Sequence, residues 1–176
     1  MKNIHVQFYK TKYADFILGS FENKLCMLDY QNRRNRDTVD NRIKKGLAAD
    51  FIERDDDVLQ LTRHQIDEYF LGKRTEFDLP LLMVGTDFQK QVWDALIKIP
   101  YGQTSSYLQL ARSLNNEKAV RAVAAANGAN SMSIIIPCHR IIGSNGDMKG
   151  YAGGIPVKKE LLRLEQQSIE FKLISN

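Results

Sequence analysis

The stretch Ile134-Ile135-Ile136-Pro137-Cys138-His139-Arg140-Ile141 decides how the chain is read. The run of β-branched apolar residues predicts a buried strand, and Pro137, which cannot donate to a sheet, ends its pairing. The next residue is one of two cysteines among 176 residues, followed directly by a histidine and an arginine. Cationic neighbours favour the thiolate, the nucleophilic form of cysteine. A helix opening after Pro137 would add the positive end of its dipole. The plainer alternative is a core cysteine with two surface neighbours, since free cysteine is often a small buried hydrophobe. Adjacent side chains of an extended backbone point to opposite faces, so His139 reaches the thiol only where the chain turns, or through water.

Upstream, from Thr86, the pattern is that of compact helices. Thr86 or Asp87 can cap a helix carrying Phe88, Val92, Trp93 and Leu96 on one side, which must end by Ile99 because Pro100 follows. Ser105 or Ser106 can cap a second helix over residues 107–114. After the polar turn Asn115-Asn116-Glu117, a third runs from about residue 118 to 127, before Gly128. Two short helices joined this way fit a helix-turn-helix, a pattern also found in proteins that never meet DNA. The last helix is nearly all alanine. Small side chains let a backbone approach DNA closely, which suits the minor groove; packing against a neighbouring helix selects alanine too.

The first part of the chain reads as strands over residues 6–9, 13–18 and 24–30, separated by polar turns. Residues 31–40 are highly charged and read as a loop, and residues 43–51 are ambiguous, with Gly46 counting against a helix. Leu59, Ile66, Phe70 and Leu71 suit one helix face that stops at Gly72; residues 73–80 read as a strand or extended passage.

Composition bounds the possibilities without choosing among them. A hydrophobic share of 43% supports a proper core, and a net charge of +4 allows an acidic partner. Arg112, Lys118, Arg121, Arg140, Lys149, Lys158, Lys159 and Arg163 face few acids, a bias that phosphate contacts would use and that a solvated surface also produces. The start of the chain has no apolar signal core and no stretch is long enough to span a bilayer. Cys26 and Cys138 without a secretory signal favour a reducing compartment, so a cytoplasmic location is expected. No Cys-x-x-Cys pair, His-Glu-x-x-His run or phosphate-cradling loop occurs, and no metal or cofactor is expected.

The ordered set Phe88-Gln89-Lys90-Gln91-Val92-Trp93, Ile99-Pro100-Tyr101-Gly102, Ser106-Tyr107, Arg121 to Asn130 and Pro137-Cys138-His139-Arg140 continues into Gly143-Ser144-Asn145-Gly146, Tyr151-Ala152-Gly153-Gly154 and Leu161 to Glu165. It resembles the O6-alkylguanine-DNA alkyltransferases, also called methylated-DNA–protein-cysteine methyltransferases, densely from about Phe88 to Glu165 and weakly before. The resemblance implies an α+β protein of two domains. Residues 1–83 would hold a small mixed or antiparallel sheet with helix cover, ribonuclease-H-like. Residues 84–176 would form a helical, helix-turn-helix domain for DNA binding and catalysis.

It also implies the chemistry. Cys138 would take the alkyl group from O6 of guanine, possibly also from O4 of thymine, in one irreversible turnover. His139 would act on the thiol through a water, with Glu165 holding the histidine, in a relay resembling the logic of a hydrolase triad. Asn130 would order the thiol's surroundings and Tyr107 would donate to the departing O6. Arg121 would enter the duplex where the flipped base lay. Ser144, Tyr151 and Gly153 would wall the base pocket, and Asn116 would contact DNA. The implied partner is double-stranded DNA carrying O6-alkylguanine, met through the minor groove by a monomer, with no membrane involved. Residue 131 departs from the family's proline: it is serine, so a looser link into residues 134–136 is expected. Two other classes stay open on the residues. A cysteine hydrolase fits Cys138, His139 and Asn130 but leaves Arg121 and the alanine-rich helix unexplained. A non-catalytic DNA-binding module would lack the cysteine.

Overall fold

The computed structural model describes all 176 residues. Strands β1 (Lys2–Lys10), β2 (Asp15–Phe21) and β3 (Lys24–Tyr30) form an antiparallel meander, and β4 (Ala49–Glu53) joins β1 in parallel, giving the order β3-β2-β1-β4. Glu22 and Asn23, both at positive φ, make the tight turn between β2 and β3. Strands β2 and β3 are buried along nearly their whole length because both faces of the sheet are covered. Helix α1 (Arg36–Leu47) covers one face, with Val39 and Ile43 packed on Ile4, Ile17 and Met27. The other face takes Leu59 and Ile66 of helix α2 (Asp57–Phe70) and the apolar side of the C-terminal helices, in one continuous core.

Two readings of this part change, and one left open between a strand and an extended passage resolves against the strand. Residues 31–40 are not all loop: α1 begins at Arg36, whose guanidinium pairs with Asp40 at 2.8 Å and Asp29 at 3.1 Å. Arg33 and Arg36 are both drawn onto the buried Asp29, and Val39 and Ile43 anchor the helix beneath them. Gly46 lies within α1, where a Cβ would sit 2.4 Å from Val84 Cγ1, so close packing explains the glycine. Residues 73–80 form no strand. The Gln65 side chain donates to Asp78 O and accepts from Asp78 N, each at 3.0 Å, and Leu25 N donates to Pro80 O.

The C-terminal part is helical. Thr86 caps α3 (Asp87–Ile97) and Ser106 caps α4 (Tyr107–Ser113), each in a reciprocal box with the glutamine three residues on. A single 3-10 turn, Glu117–Ala119, leads into α5 (Val120–Gly128), and α6 (Ile155–Ser175) closes the chain. Trp93, 1% exposed, donates from Nε1 to Ala126 O at 2.9 Å and so docks α5 on α3. Two short parallel strands, β5 (Ser105–Ser106) and β6 (Ile141–Ile142), tie the start of α4 to the segment after Cys138. No helix is long and apolar enough to cross a membrane.

The run Ile134 to Ile136 is not a strand. It is a buried turn in which Ile136 N donates to Met132 O at 2.9 Å and Ile134 sits at φ 73°. Its apolarity reflects burial between the two parts of the chain, and a β-branched residue in the left-handed region is strained by about 1–3 kcal/mol. Nor does a helix open at Cys138: Cys138–Arg140 is one 3-10 turn, too short for a substantial dipole. The link through Ser131 is not loose either. Leu28 N donates to Ser131 O at 2.9 Å and Ser133 N returns to Leu28 O at 2.8 Å, so the outer edge of β3 supplies the rigidity that a proline ring would have given.

Candidate active site

Cys138 lies at the bottom of a cavity of about 210 Å³ lined by Tyr107, Ala124, Asn127, Gly128, Asn130, Gly150, Tyr151 and Ala152. Pockets for drug-sized ligands run to roughly 300–1,000 Å³, so this one suits a single flat heterocycle. Asn130 crosses its floor: Nδ2 donates to Cys138 Sγ at 3.2 Å and to Ile136 O at 2.8 Å, while Oδ1 accepts from Met132 N at 2.9 Å. Burial pushes the Cys138 thiol above its ordinary value; the Asn130 amide and the charges of Lys158 and Arg33 pull it down, with Asp29 opposing them. Burial thus disfavours the thiolate, and a nucleophilic role for Cys138 would require a base to take its proton.

The cations next to the cysteine in sequence do not serve the thiol directly. Both His139 and Arg140 turn to Glu165 of α6. His139 Nε2 lies 2.7 Å from Glu165 Oε1, Arg140 Nη2 donates to the same oxygen at 2.9 Å, and Arg140 Nε donates to Oε2 at 3.0 Å. Tyr69 Oη adds a donor at 2.8 Å and Gly102 N another at 3.0 Å. Gly102 is at φ 77°, and a Cβ there would lie 2.0 Å from Ile169 Cδ1, so only glycine presents this N–H. Burial opposes ionisation of Glu165, but its donors outweigh that and hold the carboxyl well below the usual range. Burial lowers the His139 pKa; the Glu165 hydrogen bond and charge oppose this, and the Arg140 and Lys158 charges add to it. A neutral His139 that donates Nε2–H to Glu165 leaves Nδ1 as a free base. That atom is buried and has no protein partner.

The structure gathers some of the residues singled out above and disperses others. Cys138, Asn130, Tyr107 and Tyr151 share the cavity, with His139 and Glu165 behind it. Tyr107 Oη donates to Lys149 O at 3.3 Å across the cavity mouth. Arg121 is exposed in the first turn of α5, on the side that carries Ala122, Ala125 and Gly128. Asn116 is exposed in the turn before α5, and Ser144 is exposed on a separate groove with Arg112 and Gly146. Gly153 faces away from the cavity: a Cβ there would lie 2.5 Å from the Tyr30 ring.

The basic surface is also smaller than the residue list suggested. Arg140 and Lys158 are buried, Lys158 donating to Ile141 O at 2.5 Å. Arg112, Lys149 and Arg163 pair with Glu117, Asp147 and Glu160. Sequence reasoning missed Asn127 on the cavity wall, Tyr69 and Gly102 on Glu165, and the set Asp29, Tyr30 and Arg33. None of these stands beside the cysteine motif, and only the fold brings them to it.

Two family models cover most of the chain: "6-O-methylguanine DNA methyltransferase, ribonuclease-like domain" matches residues 4–83, and "6-O-methylguanine DNA methyltransferase, DNA binding domain" matches residues 87–167. A methylated-DNA–protein-cysteine methyltransferase of Methanosarcina barkeri is 44% identical over 157 residues, 89% of this chain and 99% of that protein. An inducible enzyme of the same name from Bacillus subtilis is 46% identical over 71% of this chain and 70% of its own. Among solved structures, a Mycobacterium tuberculosis OGT in complex with DNA is 35% identical and superimposes with a TM-score of 0.79, covering 93% of this chain and 94% of that one. Two motif-bearing segments and a shared two-domain fold thus point the same way, and the chain belongs to the 6-O-methylguanine DNA methyltransferase family.

Proposed function

We propose that this chain repairs DNA by moving the alkyl group of O6-alkylguanine onto its own Cys138, once per molecule. The observation that carries the reading is the arrangement behind the cavity. A buried thiol accepts a hydrogen bond from Asn130, and a buried histidine is oriented by a carboxylate. In this reading the thiol proton passes through a bridging water to His139 Nδ1, and Glu165 stabilises the imidazolium. Sulfur then attacks the alkyl carbon in line, the S–C bond forms as the C–O6 bond breaks, and the electron pair leaves with guanine. Tyr107 Oη, released from Lys149 O, donates to O6, and the proton taken up by His139 returns through water to the guanine ring. A thioether has no easy leaving route, so the acceptor is consumed.

The cavity is too narrow for a base pair, so the base must leave the stack at a cost of a few kcal/mol. We assign Arg121 to the space it vacates. The small-residue face of α5 would lie in the minor groove of double-stranded DNA, with Asn116 and Ser144 at the edges of the contact, Tyr151 against the base and Gly153 supporting that loop. Residues 84–176 carry this contact and the chemistry, residues 1–83 support them, and the chain acts as a monomer in the cytoplasm.

Incubation with O6-methylguanine duplex followed by intact-mass measurement tests the reading. The protein should gain one methyl group on Cys138; Cys138→Ser should gain none and still bind DNA. Removal of many equivalents per protein, with the thiol still free, would refute it.

A further inference from the structure

The end of α5 and the Tyr151 wall form two sides of the cavity, and both are tied to the last residues of β3. Asp29, wholly buried, accepts from Arg33 Nη1 at 2.8 Å and from Arg36 Nη1 at 3.1 Å. So held, Arg33 donates from Nη2 to Gly128 O at 2.7 Å and from Nη1 to Asn130 O at 3.0 Å. Arg42 of α1 donates to Ala129 O at 2.8 Å, its guanidinium over the Trp93 ring with 5.4 Å between group and centroid. Three successive carbonyls at a helix end, which the helix itself cannot satisfy, thus receive guanidinium donors from the sheet domain. On the other wall, the Tyr30 and Tyr151 hydroxyls lie 2.7 Å apart and Gly153 packs on the Tyr30 ring.

We infer that Arg33, Arg42 and Tyr30 are positioning residues for the transfer reaction, holding Asn130 on the thiol and fixing the width of the cavity from outside it. The inference rests on the reading of Cys138 as the acceptor. Arg33 fixes the peptide carbonyl of the residue whose side chain meets Sγ, so a shift at one end of Asn130 is felt at the other. Its charge acts in the same direction, since it also favours the thiolate. The other groups facing the sulfur are Lys158 from α6, Tyr107 from α4, Tyr151, Tyr30 and Asp29. None of these except Tyr30 and Asp29 belongs to the sheet domain, and those two lead directly to Arg33.

The test uses the full chain with Arg33→Lys, Arg42→Gln and Tyr30→Phe. An ammonium keeps the charge of Arg33 but cannot span both carbonyls. Each variant should react roughly 10- to 100-fold more slowly per active molecule with free O6-benzylguanine, a substrate that needs no DNA contact. In Arg33→Lys and Arg42→Gln the pH midpoint of Cys138 alkylation by iodoacetamide should move upward. Tyr30→Phe keeps the ring against Gly153 and covers the case in which an arginine variant fails to fold. Lowered melting temperatures with unchanged rates and an unchanged midpoint would overturn the inference, leaving these residues merely structural. Failure of the wild-type protein to acquire the benzyl group on Cys138 would instead overturn the reading beneath it.

Discussion

Replacing Glu165 by glutamine keeps the shape of the side chain and removes its charge. In the native protein the carboxylate is wholly buried and accepts from Tyr69, His139, Arg140 and Gly102. An amide nitrogen must then face the Arg140 guanidinium or the Gly102 N–H, and the buried arginine loses its counter-ion. Removing one partner of a buried pair costs about 3–5 kcal/mol. Arg140 retains Ile99 O at 2.7 Å and the Tyr101 ring, which favours the lower end, about 3 kcal/mol. For a chain of this size that lowers the melting temperature by roughly 6–12 °C.

Below the melting range, the folded fraction should transfer alkyl groups roughly 10²- to 10⁴-fold more slowly, because a neutral amide cannot stabilise the imidazolium that forms when His139 takes the thiol proton. The loss also has a pH signature. Glu165 has a depressed folded-state pKa, so its share of stability is complete above the ordinary value of 4.5 and disappears as pH falls toward the depressed one. The stability gap between wild type and Glu165→Gln should therefore narrow in acid. Thermal unfolding at neutral and acid pH, with benzyl incorporation followed by intact mass, measures both effects. Equal melting temperatures, or equal rates per folded molecule, would refute the reasoning.

Lys158→Met should hold or raise the melting temperature, since methionine fills the volume without a buried ammonium whose pKa burial already lowers. The same variant should move the pH midpoint of Cys138 alkylation upward, because Lys158 favours the thiolate; iodoacetamide rates against pH check this. Gly102→Ala forces a Cβ against Ile169 and a side chain into the left-handed region, and should cost about 1–3 kcal/mol by chemical denaturation while slowing transfer. Gly128→Ala meets nothing within 4 Å, so folding should be unaffected or improved; the rate on alkylated duplex should fall more than the rate on free O6-benzylguanine. Equal rates would place the DNA elsewhere.

Legibility followed distance along the chain. The three strands of the meander and the capped helices α3 and α4 depend on local patterns, and apolar runs, turn residues and Thr86 or Ser106 announce them. Helix α1 was hidden because Arg36 pairs with Asp40 and with Asp29, a neighbour that the linear pattern does not show. The turn at Ile134 looks like a strand because burial, not pairing, selects isoleucine there. In the site, the resemblance paired His139 with Glu165, 26 positions away, but nothing local indicated that Arg140 turns to the same carboxylate, 25 positions away. Arg33 lies 97 positions from Asn130, and a mid-chain arginine in a charged segment gives no local sign of such a contact.

The main core draws Phe16, Leu18 and Leu28 from the sheet and Trp93, Val123, Ile136 and Leu161 from the helical part, so neither part owns a complete interior. Cut apart, each would expose a hydrophobic face and an unsatisfied strand edge at Leu28 or Ser131. Melting should accordingly be one event, with the calorimetric and van't Hoff enthalpies equal. A repair protein built this way has no half-folded form in which the reactive sulfur survives outside its shelter.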